Sequence, residues 1–291
     1  MREFLIKMGH IDRRIIFLLI ALAVIIPLIL RTVFPVVTTP IVQNIFDQIE
    51  SLPPGSKVLL TADYGPSTVP ENQPMLEAIA RHVLHKNLKL YTATIWATGP
   101  PMVNAMKRNV IALDFPDRVE GEDWVDLGYQ AGNQGVINAA FTNFHAAFPV
   151  DISGKAVDNI PMMQDVRTLS DFDLIVAIGS GFPGVKEWIQ FGGDPAGVPT
   201  AGGVTAVEAP LLYPYYPSQL LGLMGGLLGA AEYEGALVRE YPQFRDSSTQ
   251  AIQRMGPQTV AHLVIIAFIL IGNISYLAGG RQKPRIGAKH Q

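Results

Sequence analysis

Two apolar runs at opposite ends of the chain set the strongest limit on how it can fold. Residues 15–30 are sixteen apolar residues in succession, and residues 259–277 are nineteen residues without a formal charge. Each approaches the length a helix needs to cross a hydrocarbon layer. Sixteen residues at 1.5 Å per residue reach only about 24 Å, but Arg31 can snorkel and the stretch to Val37 can lengthen the insertion. A cleaved signal peptide is the alternative for the first run, which has a basic flank and an apolar centre. The following RTVFPVVTTP offers no small-x-small cleavage site, so the expectation is an uncleaved anchor.

Charge gives these segments a direction. The N-terminal flank carries Arg2, Lys7, Arg13 and Arg14 against Glu3 and Asp12, and the C-terminal flank carries Arg281, Lys283, Arg285 and Lys289 against no acid. Taking these eight basic and two acidic residues from totals of 22 and 25 leaves 14 basic and 23 acidic residues between the flanks, a net of −9. By the positive-inside rule both termini are expected in the cytoplasm and the middle outside it. The acidic middle also argues against nucleic acid as a partner. The chain has no cysteine, which excludes disulfides, thiolate chemistry and cysteine-type zinc sites.

The expected organisation is a cytoplasmic tail at 1–14, a transmembrane helix at 15–37, a juxtamembrane amphipathic helix and linker at 38–56, an extracytoplasmic domain at 57–242, a linker at 243–258, a second transmembrane helix at 259–279 and a basic cytoplasmic tail at 280–291. In the juxtamembrane helix Thr39 and Pro40 form a start signal, and Ile41, Val42, Ile45, Phe46, Ile49 and Leu52 recur on one face. This face suits the membrane surface or the side of the domain.

Within the domain, strand patterns at 57–62, 88–96, 110–115, 172–178 and 200–207 alternate with helical patterns at 73–85, 101–107, 129–148, 185–191 and 218–238. Five strands each followed by a helix predict an α/β fold, a doubly wound, mostly parallel five-stranded Rossmann-like sheet. Residues 150–169 are expected as a long loop or flap.

In such a sheet ligands bind beyond the carboxyl ends of the strands. That rule selects Asp63, Tyr64, Gly65 and Ser67 after the first strand, Trp96, Thr98 and Gly99 after the second, Asp114 after the third, Gly179, Ser180 and Gly181 after the fourth, and Glu208 after the fifth. Gly179, Gly181 and Gly184 match G-x-G-x-x-G between a strand and a helix, where free N–H groups could hold a small polar or anionic ligand. A dinucleotide is disfavoured, because the motif follows the fourth strand, Pro183 removes a donor, and the domain is expected to face away from cytosolic cofactors. No cofactor is expected. Ser180 lacks the first glycine of a nucleophile elbow, since position 178 is Ile178.

His82 and His85 lie three apart on one expected helix but lack a third metal ligand, and a solvated cationic helix end is the better reading. His145 reads as structural. The acid groups Glu120, Glu122 and Asp123, and Asp171 and Asp173, read as a solvated loop and a strand boundary. Gly222, Gly225, Gly226 and Gly229 share the expected helix 218–238, where small-xxx-small spacing permits close approach either to its own sheet or to another subunit. The segment PLLYPYYP before it suits a ligand lip or an interface. His262 and Asn273, eleven residues apart, share one side of the last apolar helix and are expected to meet protein rather than lipid.

The function expected from these features is a non-catalytic binding or scaffold subunit of a larger membrane assembly. Its partners would be the membrane and further copies of the chain or other membrane subunits. The alternatives are a solute-binding or sensing domain with the architecture of periplasmic binding proteins, and an extracytoplasmic hydrolase.

Overall fold

The computed structural model describes residues 12–30 and 33–279. The tail residues Arg2, Glu3, Lys7, Arg281, Lys283, Arg285 and Lys289, the outer parts of the tails 1–14 and 280–291, and Arg31 lie outside the described residues. The chain forms two units, one made of residues 1–34 with 253–291 and the other of residues 35–252.

Two helices are long and apolar enough to cross a membrane: α1 (Arg13–Leu30), in the first unit, and the span Gln250–Leu277 of the last helix, Gln250–Gly279, which belongs to the first unit from Gln253 onward. Their apolar side chains point outward, as at Ile29, 73 % exposed, and Leu277, 76 % exposed. His262 and Asn273 are also exposed on the last helix. That helix starts inside the region expected as the linker 243–258.

The second unit is an α/β domain around one parallel sheet. It begins with α2 (Pro40–Ser51), whose buried face of Val42, Ile45, Phe46 and Ile49 packs on the domain itself. The strands are β1 (Lys57–Asp63), β2 (Lys89–Thr94), β3 (Trp124–Tyr129), β4 (Leu174–Gly179), β5 (Thr200–Val204) and β6 (Gly222–Gly225). They lie in the order β3-β2-β1-β4-β5-β6, all parallel. The chain therefore builds outward from β1 on one side and restarts at β4 on the other, which opens a crevice at the carboxyl ends of β1 and β4. Helix α3 (Val69–His85) follows β1 and α4 (Gly99–Met106) follows β2. On the opposite face α5 (Gln134–Thr142) packs beside a helical run from Val185 that passes through a π-helical stretch, Trp188–Gly193. The final domain helix, α6 (Gly226–Glu240), packs on α3.

Three sequence expectations are corrected. The sheet has six strands, not five. Residues 110–114 are helical, a π-helical turn (Lys107–Ile111) continuing into Ala112–Asp114, and the third strand is Trp124–Tyr129. The apolar VIALDF imitates a strand, while the true strand carries Asp126, buried and paired with Lys107 at 2.6 Å, which breaks its apolar run. The expected helix 218–238 is an edge strand followed by a helix that starts only at Gly226. The stretch 150–169 is a loop as expected; it contains two 3-10 turns, and its Val157, Ile160, Met163 and Val166 are buried in the core.

The division of 218–238 separates its glycines. A side chain on Gly222 would run into the Ile41 carbonyl, one on Gly225 would meet the Ala209 methyl at 2.9 Å, and one on Gly229 the Met224 backbone at 2.7 Å. Gly226 has φ +63° and faces Ala206. The close approaches these glycines allow are thus made by the chain's own elements.

Candidate functional site

The carboxyl edge of the sheet is where loops from both halves meet. Ser180 N–H donates to the Asp63 carbonyl at 3.1 Å, which pins the end of β4 to the end of β1. From this point residues 181–184 rise out of the sheet and leave Phe182 66 % exposed. Phe182 divides two depressions. One, of about 440 Å³, is lined by Ser180, Gly181, Lys186, Glu187, Thr205, Val207, Glu208 and Leu211. The other, of about 400 Å³, is lined by Gly65, residues 95–98, Tyr129, Asn133 and Pro183. Both volumes fall at the small end of ligand sites.

The glycine turn does not present the open N–H groups its sequence suggests. Gly181 N–H donates to Glu208 Oε2 at 3.1 Å, and Gly184 N–H donates to Glu187 Oε2 at 2.7 Å. Two carboxylates of the chain already occupy the positions an anionic ligand would take. Glu187 is 6 % exposed and lines the larger depression, while Glu208 is half-buried. Burial raises the pKa of Glu208 above the ordinary carboxylate value; the Gly181 N–H opposes the rise and the Glu187 charge adds to it.

The residues expected at the site divide by position. Ser180, Gly181 and Glu208 line the larger depression, and Thr98 lines the smaller, where its hydroxyl donates to the Tyr64 carbonyl at 3.1 Å. Gly179 ends β4, its carbonyl accepting from Asn72 Nδ2 at 2.8 Å. Ser67 is exposed on the turn after β1 and lines neither depression.

Asp63 is turned inward. Its carboxylate accepts from Ile95 N–H at 2.7 Å and from Trp188 Nε1 at 2.7 Å, on the face of the sheet away from α3. Burial pushes its pKa up to about 6 against the pull of these bonds. Tyr64 is also buried, donating to Gln73 Oε1 at 2.8 Å. Asp114, expected after the third strand, is paired with Arg81 at 2.6 Å near the far end of α3, so it stands apart from the edge.

His82 and His85 correct the reading of a solvated helix end. His82 is fully buried between Glu50, 2.7 Å from Nε2, and the Tyr233 hydroxyl, 2.7 Å from Nδ1, and burial pushes its pKa down to about 4. His85 packs against the rings of Tyr241 and Phe244. Among the described residues, no group of three His, Cys, Asp or Glu side chains is placed to hold a metal ion.

Sequence reasoning missed Phe182, Thr205, Val207, Leu211, Lys186 and Glu187. Phe182 occupies an unspecified position of the G-x-G-x-x-G turn, and Val207 and Leu211 follow a strand and lie in or beside the aromatic PLLYPYYP segment, which were the available signals. The sequence matches no protein-family model, and no curated protein matches it.

Proposed function

We propose that this chain is a membrane-anchored binding subunit of a larger membrane assembly, with the carboxyl edge around Phe182 as its contact surface. In this reading both termini are cytoplasmic and the α/β domain lies outside, as the charge balance of the flanks suggests. The observation that carries it is the exposure of Phe182 at 66 %, Val207 at 87 % and Leu211 at 70 % around one depression. A soluble surface gains nothing from three such side chains together, whereas a binding surface uses them as anchors. The inward bonds of Asp63 favour binding over catalysis, because the most buried acid of the edge is committed to the fold. The exposed His262 and Asn273 favour assembly within the membrane, where a polar side chain facing lipid is costly.

Solubilised gently from its native membranes, the protein should migrate well above the 31.7 kDa of its chain. Phe182→Asp should release copurifying chains while leaving the melting temperature unchanged. Migration as a monomer, or a complex indifferent to Phe182→Asp, would contradict the proposal. The reading as a solute-binding domain is favoured by one observation, the polar floor of Ser180, Thr205 and Glu208 beneath the apolar rim. It predicts a melting temperature raised by a small molecule with the membrane complex unaffected.

A further inference from the structure

The larger depression at the carboxyl edge contains more hydrogen-bond acceptors than the fold uses. Glu187 is 6 % exposed, and its one hydrogen bond, Gly184 N–H to Oε2, leaves Oε1 without a donor. Glu208 is in the same state: Oε2 takes the Gly181 N–H and Oε1 takes nothing. Thr205, 7 % exposed, lines the same depression, and its hydroxyl makes no hydrogen bond to the described residues. A fourth oxygen, Ser180 Oγ, accepts from Thr68 Oγ1 at 3.1 Å and keeps a lone pair. These oxygens are open to the depression rather than sealed in the core, since the enclosed side-chain atoms without partners among the described residues lie elsewhere, at Thr61, Asn72, Trp124 and Ser248. A donor group seated in the depression can therefore bond to them directly, and Thr205, 7 % exposed with its hydroxyl unbonded, lies at its floor.

The chemistry of that ligand follows from what the site lacks. The two glycine N–H groups that could have received an anion are filled by the carboxylates themselves. The two carboxylates offer acceptor oxygens, the Ser180 and Thr205 hydroxyls can accept as well as donate, and Lys186 is exposed at the mouth. An ammonium group offers three donors and no acceptor, which matches this set. Phe182, Val207 and Leu211 at the rim would cover an apolar arm attached to it.

We infer that the depression between β4 and β5 binds an ammonium group on an apolar arm, held by Glu187, Glu208, Thr205 and Ser180. The inference rests on the carboxyl edge being the contact surface and names the chemistry it recognises. The ammonium can belong to a free amine or to a lysine side chain of a partner protein.

Titration calorimetry on the full-length chain in detergent distinguishes the possibilities, with phenethylammonium, phenethyl alcohol and 3-phenylpropionate as probes of similar shape and different charge. The ammonium should bind at least tenfold more tightly than the alcohol, and the carboxylate should not bind measurably. Glu208→Gln, whose amide oxygen still accepts the Gly181 N–H, should remove the tenfold preference and leave alcohol affinity unchanged. Thr205→Val should weaken the ammonium severalfold in a chain with unaltered melting temperature. Equal binding of ammonium and alcohol, binding of the carboxylate, or a preference that survives Glu208→Gln would overturn the assignment. A parallel titration with acetyl-phenylalanyl-lysine amide separates the sources: tighter binding than phenethylammonium assigns a partner's lysine, and weaker binding assigns a free amine. Copurifying chains released by Phe182→Asp, with no ammonium preference in the titration, would leave the contact surface standing and remove the cation.

Discussion

Two pairs of glutamates in this domain bond to backbone N–H groups, and what surrounds them gives them different uses. Glu232 and Glu234 project from α6 and are 4 % and 2 % exposed. Glu232 accepts from Thr39 N–H at 2.9 Å, at the start of α2, and Glu234 accepts from Ile252 N–H at 3.0 Å, in the first turn of the last helix. One short helix thereby fastens both stems of the domain, the one that enters it and the one that leaves. Glu187 and Glu208 make the same kind of bond at the carboxyl edge but border an open depression. A sealed carboxylate is part of the scaffold, and its loss leaves helix-start N–H groups without partners. A carboxylate beside a depression keeps an oxygen that can meet something else.

The comparison breaks most sharply at the polar layer behind the stems. Arg81, 1 % exposed, pairs with Asp114 at 2.6 Å and also bonds the Asn109 carbonyl, while Glu77 nearby accepts from Gln73, Asn109 and Gln250. Arg81→Met strands this charge layer, and its cost should be about 3 kcal/mol or more in chemical unfolding. A loss below ~1 kcal/mol would mean that the layer is not part of the scaffold.

Glu234 comes next. Burial pushes its pKa up to about 7, against its backbone bonds and the Arg81 charge. A raised carboxyl pKa contributes stability that is complete below the unfolded value near 4.5 and is lost as pH rises through about 7. The change is on the order of 3 kcal/mol, from ~1.4 kcal/mol per unit. Asp63 acts in the same sense but is spent by about pH 6, and His82, with its pKa lowered to about 4, acts in the opposite sense at lower pH. Between pH 6 and 7.5 the fall in melting temperature should therefore belong to Glu234, and Glu234→Gln should flatten it. An unchanged slope would remove Glu234 as its source.

Smaller effects sharpen the contrast. Glu232→Ala deletes one helix-start partner and should cost about 1 kcal/mol. Glu208→Gln at the carboxyl edge should cost less than about 0.5 kcal/mol, because the site is half-open and the amide oxygen replaces the carboxylate. Chemical unfolding of these two variants side by side checks the order; a reversal would assign scaffold duty to the wrong pair.

The sequence disclosed the architecture where periodicity was undisturbed. The terminal apolar runs, β1 and β4 rest on long patterns that no buried charge interrupts, whereas the order of the strands, with its switch between β1 and β4, is set by tertiary pairing and was not legible in the sequence. It failed where tertiary pairing overrode local pattern, as at Asp126, a buried acid inside β3 made tolerable by Lys107. It failed again at Gly222 and Gly225, whose helical spacing hides an edge strand pressed against α2 and Ala209. The glycine turn after β4 was correctly placed at the sheet edge, but its occupants were invisible, because Glu208 reaches Gly181 from 27 residues away. Phe182, the side chain on which the proposed contact rests, stands at an unspecified position of the glycine motif, so nothing but its place in the turn after a strand marked it.

The proposed contact surface is open to a direct measurement in native membranes. A photoreactive side chain placed at 182, 207 or 211 should crosslink to another chain, and one placed at the exposed Pro54, in the turn before β1 at the opposite edge of the sheet, should not. Crosslinks from position 54 with none from 182, 207 or 211 would contradict the account.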